Sequence, residues 1–524
     1  MEVGAVAAEV MQRRQQGRLL VEGRIYTGDW RGEAVTDALL VEDGVVRALG
    51  PEARARAGST AASVRLEAGT CAVPGFWDSH IHLASYGDSL DEVPLGDLTD
   101  GPSVARRLAD AVRSGQVPPD GPVRGRGWMV GSWQGPPPHR RDLDGLGDRP
   151  ILLWNHDYHS VWVNGAMLRE AGIDRMTAEP VGGRIERDAD GEPTGILRDE
   201  ATNLLPEWSE TPERVERAIL RAQDALLGMG VTAVATMGEA ASAVRALIEL
   251  ANRGALRLRV SVYAPAARVD ELAAVGLVSG LGGDRLWLGG VKAFMDGSLG
   301  SQTAWMRAPY LEVGGTGLAM PFALELEDRV ARIRAAGLRL ALHAIGDRAV
   351  AEAVATLASA APAAGMDRIE HAQLVPADVV AAWPPERVAA SVQPIHLTDD
   401  LELTARFWGE ARAQSALPLR ALRARGVTLL FGSDAPVSDP DPMRGLWAAV
   451  ERRRSGGAAS TPAQALTVGE ALEAYAAAPA RLEGRPHLGR LMPGSPLAMA
   501  VLSADPVARP EALHDLRVLR VETA

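Results

Sequence analysis

Between residues 74 and 485 the chain alternates two patterns. Short apolar runs are separated by stretches in which apolar positions recur every three or four residues, as in PERVERAILRAQDALLGMG and LEDRVARIRAAG. The first pattern predicts buried strands and the second amphipathic helices. Eight strand candidates follow: 76–83, 231–238, 258–265, 286–297, 338–347, 368–375, 388–396 and 427–436. Eight parallel strands joined by crossover helices make an α/β fold of the (β/α)8 barrel type, the TIM barrel. The ends of the chain read differently. Residues 18–73 and 486–524 alternate apolar and polar positions with Gly and Asp punctuation, which predicts one small β domain built from both ends. Residues 84–205 interrupt the barrel after its first strand and are expected to form a subdomain over its mouth. Residues 1–17 are expected to be an extension.

Composition narrows the function classes. The 524 residues are 47% apolar and 23% charged, as in a globular protein with a large core. A net charge of −12 argues against nucleic acid or an anionic membrane as partner. Cys71 is the single cysteine, so no disulfide framework exists within the chain and a cytoplasmic setting is expected. No apolar run approaches the ~20 residues of a membrane helix. The N-terminal segment does not read as a secretory signal. Of 55 basic residues only Lys292 is a lysine. A chain that uses arginine wherever charge is enough has kept one amine, which makes Lys292 a candidate for chemistry a guanidinium cannot perform.

Barrel enzymes place their chemistry at the C-terminal ends of the strands. His80 and His82 end the first strand candidate, and their two-residue spacing turns both imidazoles to one face. Lys292 lies in the fourth, His343 in the fifth, His371 in the sixth and Asp434 at the end of the eighth. Taken singly, each could be a hydrogen-bonded core residue. Together at one end of one barrel they call for a divalent cation, since imidazole and carboxylate suit zinc and its neighbours. A bound cation lowers the pKa of its water to about 7. The resulting hydroxide would be available as a nucleophile, with Asp434 taking the water's proton and passing it to the leaving group. Lys292 carbamylated by carbon dioxide would be an anionic bridge between two metals; a plain lysine orienting substrate beside one metal is the alternative.

Other residues could touch substrate. His159 sits among Trp154, Asn155, Tyr158 and Trp162, a density of aromatic and amide groups that could form a lid. Trp133, Trp154 and Trp305 could line an apolar pocket, although core packing is the default for tryptophan. Asp296 could bring backbone donors near the substrate, and His396 ends the seventh strand. Asp347 and Glu370 are expected to orient His343 and His371 or to pair with Arg348 or Arg368.

The motifs VPGFWDSHIHL, VKAFMDGSLGS, LHAIGDRAV, RIEHAQLV and FGSDAPVSDPDPM together resemble the amidohydrolase superfamily, specifically amidohydrolase family 3 with its N-substituted formamide deformylase-like members. WNHDYHSVWVNGAML and DGEPTGIL resemble the same branch, and the resemblance spans about residues 18–505. It implies a composite β-sandwich beside the barrel, divalent metal, a pair of zinc ions (manganese, iron or cobalt being alternatives) and hydrolysis of a non-peptide carbon–nitrogen bond. It implies His80, His82 and Asp434 as ligands of the more buried metal, His343 and His371 of the second, and Lys292 as the bridge. The branch usually carries Glu where this chain has Asp199. A small amide-like molecule is the expected partner, with self-association common among such barrels. A one-metal deaminase or cyclic-amide hydrolase and a non-catalytic scaffold are the alternatives.

Overall fold

The computed structural model describes residues 17–30, 35–58, 61–117, 121–129, 133–156, 158–206, 211–312, 314–453 and 457–524. Apart from Gly17, the expected N-terminal extension lies outside the described residues.

The barrel strands are β1 (Phe76–Ile81), β2 (Val231–Met237), β3 (Arg259–Pro265), β4 (Leu286–Phe294), β5 (Leu340–Ala344), β6 (Asp367–His371), β7 (Val388–Val392) and β8 (Leu429–Phe431). Each pairs in parallel with the next, in chain order. Every residue of β1, β2, β5, β6, β7 and β8 is buried. Strands covered on both faces are largely apolar, as β2, β5, β7 and β8 are; β6 instead buries Asp367, Arg368, Glu370 and His371 in ion pairs and hydrogen bonds. Helix Pro212–Gly228 shows how a crossover is specified. Thr211 caps it by accepting the Arg214 N–H, Pro212 occupies the first turn, and Val215, Ile219, Ala222 and Leu226 form its buried face.

Two backbone bonds bring β1 and β8 together: Asp434 N–H donates to His80 O (2.7 Å) and His82 N–H to Ala435 O (2.9 Å). Asp78 reinforces the seam, accepting from His80 N (3.1 Å), Ser433 N (3.0 Å) and Ser433 Oγ (2.5 Å). Burial pushes its carboxyl up to about 7. The approach is so close that a Cβ on Gly432 would stand 2.4 Å from His80 N, so this position tolerates only glycine.

The two ends of the chain meet in a seven-stranded sheet. Its order is Val518–Thr523, Ala498–Leu502, Cys71–Pro74, Arg18–Tyr26, Val35–Glu42 and Val45–Leu49, with Ala62–Arg65 also paired to Arg18–Tyr26. Cys71–Pro74 leads straight into β1, which ties this sheet to the barrel. Between β1 and β2 the chain forms a six-stranded sheet running from Val93–Pro94 to Gly183–Arg187 and Pro193–Asp199. Among the described residues no helix is long and apolar enough to cross a membrane.

Candidate metal centre

The register of the barrel brings the chemistry to one level. Phe294 is paired with His343, and His343 with Glu370 and Ala344 with His371 one strand further on. His371 ends β6 at φ 68° and Asp434 follows β8 at φ 62°, both in the left-handed region that non-glycine residues seldom occupy. Backbone strain of this kind persists where surrounding contacts over-determine it, and it clusters at functional sites.

Hydrogen bonds decide which nitrogen each imidazole presents. His80 Nδ1 donates to Glu370 Oε2 (2.5 Å), His82 Nδ1 to Met237 O (2.9 Å) and His371 Nδ1 to Gln393 Oε1 (2.9 Å). The Nε2 atoms are therefore the basic ones. His343 is turned the other way: its Nε2 donates to Gly297 O (3.1 Å) and its buried Nδ1 makes no hydrogen bond among the described residues. Burial, and after it the charge of Lys292, pushes His80 down to about 4. Burial likewise holds His343 and His371 well below the usual imidazole range. Burial opposes charge on Asp434 too, but His80, His82 and His371 hold its carboxyl well below the usual carboxylate range.

The consequence is a set of electron pairs facing one another. His80 Nε2 lies 3.3 Å and His82 Nε2 3.4 Å from Asp434 Oδ1. His371 Nδ1, already committed to Gln393, and His396 Nε2 lie 3.9 and 4.0 Å from the other oxygen. His80 Nε2 is buried and makes no hydrogen bond among the described residues, so it brings an electron pair rather than a proton to the carboxylate. Buried polar atoms need partners, and here a cation between them supplies what no hydrogen can. Ligand atoms of His80, His371 and Asp434 all lie within 4.8 Å of one another. The residues thus fit a divalent metal.

Lys292 is 2% exposed, with Nζ 4.5 Å from the centre of the Phe294 ring. Burial pushes its amine down to about 8. Above the cluster opens a cavity of about 880 Å³ that reaches His159, Asp199, His343, His371, His396 and Asp434. Of the residues expected to contact substrate, His159 and His396 do line it.

Other expectations are corrected. Trp133 and Trp154 do not line this cavity. Trp133 packs edge-on against Trp128 and Trp162 at 6.5 and 5.6 Å, and Trp154 stacks on Tyr158 at 5.5 Å. Asp296 is fully buried and faces no substrate space: it accepts the backbone N–H groups of Trp305, Ile345 and Gly346 at 2.8, 3.1 and 2.8 Å. It fixes the loops after β4 and β5 instead. Asp347 accepts Arg307 N (2.8 Å) and does not orient His343. Glu370 orients His80 across the barrel rather than its own neighbour His371, and pairs with Arg368 as expected. The anchoring roles of Gln393 and Asp78 escaped the sequence reading, because an amide or a carboxylate inside an apolar run does not announce its partner.

Glu92 shows how the cavity's roof is held. It is buried, and its carboxylate accepts the Tyr158 hydroxyl at 3.3 Å, next to His159. Burial pushes its carboxyl up from 4.5 to about 7. A raised carboxyl means that the folded chain holds this proton more tightly than the unfolded chain does. Stability therefore falls as pH rises from 4.5 to 7 and levels off above that window. Glu92→Gln removes this titration. The variant is expected to gain stability relative to the parent across that window, read from denaturation midpoints at a series of pH values; parallel curves would refute it.

An eight-stranded parallel barrel whose strand ends converge on a buried histidine–aspartate cluster fitted to a cation is the framework of a metal-dependent hydrolase. Comparison with known proteins names the group more narrowly. The model of the amidohydrolase family matches residues 68–522, and the chain belongs to that family. It is 30% identical to YtcJ of Bacillus subtilis (strain 168) over 95% of this chain and 96% of that one. It is 27% identical to the N-substituted formamide deformylase of Arthrobacter pascens, covering 96% of each. Among solved structures, an uncharacterized metal-dependent hydrolase from Pyrococcus horikoshii OT3 superposes with a TM-score of 0.78 at 29% identity, over 94% of this chain and 99% of that one.

Proposed function

We propose that this protein hydrolyses the carbon–nitrogen bond of a small non-peptide amide, of the formamide kind. The observation that carries the reading is the meeting of His80 Nε2 and His82 Nε2 with Asp434 Oδ1, at 3.3 and 3.4 Å, at the rim of the barrel. The likeness to a formamide deformylase supports the choice of bond.

In this reading His80, His82 and Asp434 hold one divalent ion, and His343 and His371 hold a second. Nitrogen and oxygen donors of this kind suit zinc, with manganese, iron or cobalt as substitutes. The buried Lys292 amine, by adding to carbon dioxide with loss of a proton, would supply an anionic carbamate as a further ligand for the two ions. When bound, the metal polarises the substrate carbonyl and acidifies water. Asp434 accepts the proton of the attacking water. Glu370, Met237 O and Gln393 keep His80, His82 and His371 in register. The cavity of about 880 Å³ encloses a small substrate beneath the six-stranded sheet.

The compactness of His80, His371 and Asp434 favours a second reading, a one-metal deaminase or cyclic-amide hydrolase with plain Lys292. Metal analysis separates the two. Two ions per chain, with a carbamate in a crystallographic map, are expected from the first reading; one ion and an unmodified lysine belong to the second. Chelation of the enzyme is expected to abolish amide hydrolysis and zinc to restore it. Full activity in the stripped protein would overturn both.

A further inference from the structure

We propose that His159 and Asp199 form an acid–base dyad that delivers a proton to the departing nitrogen, a role that rests on the amide reading above. Both residues come from the six-stranded sheet rather than the barrel, and both line the cavity over the cluster. They are clamped twice. Asp199 N–H donates to His159 O at 2.7 Å, and His159 Nδ1 donates to Asp199 Oδ1 at 2.8 Å. The Asp199 side chain is only 3% exposed. Its backbone lies at φ 48° and ψ −126°, and the preceding partner in the roof, Tyr158, lies at φ 56°. A non-glycine residue held there is strained. Holding a carboxylate against one edge of a histidine is what that strain accomplishes here.

The barrel leaves this task open. Nε2 of His80 and of His82 faces Asp434, and Nε2 of His343 is engaged by Gly297 O. His371 is anchored by Gln393. His396 lines the cavity but, among the described residues, has no carboxylate hydrogen-bonded to it. His159 has one, and its ring centre stands 6.1 Å from that of His343, on the substrate side of the cluster. With Nδ1 tied to Asp199, Nε2 is the nitrogen through which the ring would act on a substrate in the cavity. A carboxylate on Nδ1 stabilises the imidazolium and fixes its direction.

The step divides the proton work between two groups. Water adds to the amide carbon and gives one proton to Asp434. The carbon–nitrogen bond then breaks, its electron pair stays on nitrogen, and the His159 Nε2 proton moves to that nitrogen. The products are a carboxylic acid and an amine. Transfer of one proton from Asp434 through solvent to His159 restores both side chains.

The test uses the metal-loaded enzyme with two probes, N-butylformamide and N-formyl-4-nitroaniline. An alkylamine cannot leave unprotonated, whereas nitroaniline can. His159→Asn and Asp199→Asn are expected to keep their metal and to lose about 100-fold or more in kcat on the alkyl amide. On the nitroanilide the loss stays under about tenfold, because general acid catalysis contributes little there. A merely structural role would slow both probes alike, and equal losses, or none, overturn the dyad. If His159→Asn folds poorly, Asp199→Asn, which removes one charge and no volume, decides the matter. Turnover of neither amide by the parent overturns the dyad together with the amide reading; turnover with equal losses overturns the dyad alone.

Discussion

An Asp434→Asn enzyme is expected to lose roughly 10³-fold in kcat, the order associated with removing a positioned acid–base group. Asn has nearly the shape of Asp, so the β1–β8 seam, which uses the Asp434 backbone N–H, is left in place. What disappears is the charge. In the parent, His80, His82 and His371 hold this carboxylate ionised in a buried setting. The variant presents a neutral amide to the same nitrogens and cannot take a proton from water. The thermal transition is expected to move little, and metal content is measured alongside kcat. A metal-loaded Asn variant within tenfold of the parent would remove Asp434 from the chemistry.

The largest effect on stability is expected at Arg368. This side chain is 1% exposed and lies inside the barrel, where it donates to Glu370, to Ser79 O and to Ser391 Oγ, and stacks over Tyr263. Burial opposes charge on Glu370, yet Arg368 and His80 hold it well below the usual carboxylate range. Arg368→Met would strand that carboxylate with His80 alone. Removing one partner of a buried pair costs about 3–5 kcal/mol, because the other charge is left uncompensated. Replacing both, in Arg368→Met with Glu370→Leu, is expected to recover most of that loss, since a buried apolar pair carries no desolvation cost. Function is not expected to recover with it. His80 then has no acceptor for its Nδ1 proton, and loss of such an anchor weakens metal binding by about 10–100-fold. Urea denaturation and metal titration of the three variants read the two effects separately. A double variant as unstable as the single one would show that packing, not charge, governs this position.

Much of this molecule was legible along the chain, because the relevant information is local. Strands buried on both faces are largely apolar, so apolar runs located most of the barrel strands to within a few residues, although β6 buries Asp367, Arg368, Glu370 and His371. A polar residue at the end of such a run stands out, which exposed His80, His82, His343, His371 and Asp434. Pairing across the barrel is not local. Glu370 adjoins His371 in sequence and bonds His80, 290 residues away, because β1 and β6 face one another only once the barrel has closed. Trp133 and Trp154 were plausible pocket walls by type alone, and only the packing of the six-stranded sheet turned them aside. Asp296 has the composition of a substrate contact and the position of a loop clamp. His159 and Asp199, 40 residues apart, became a pair only when their strands came together. The sequence by itself determined the barrel and the donors at its rim. The tertiary structure decided which nitrogen each histidine offers, since that depends on the partner of the other nitrogen, and the fold alone supplies it.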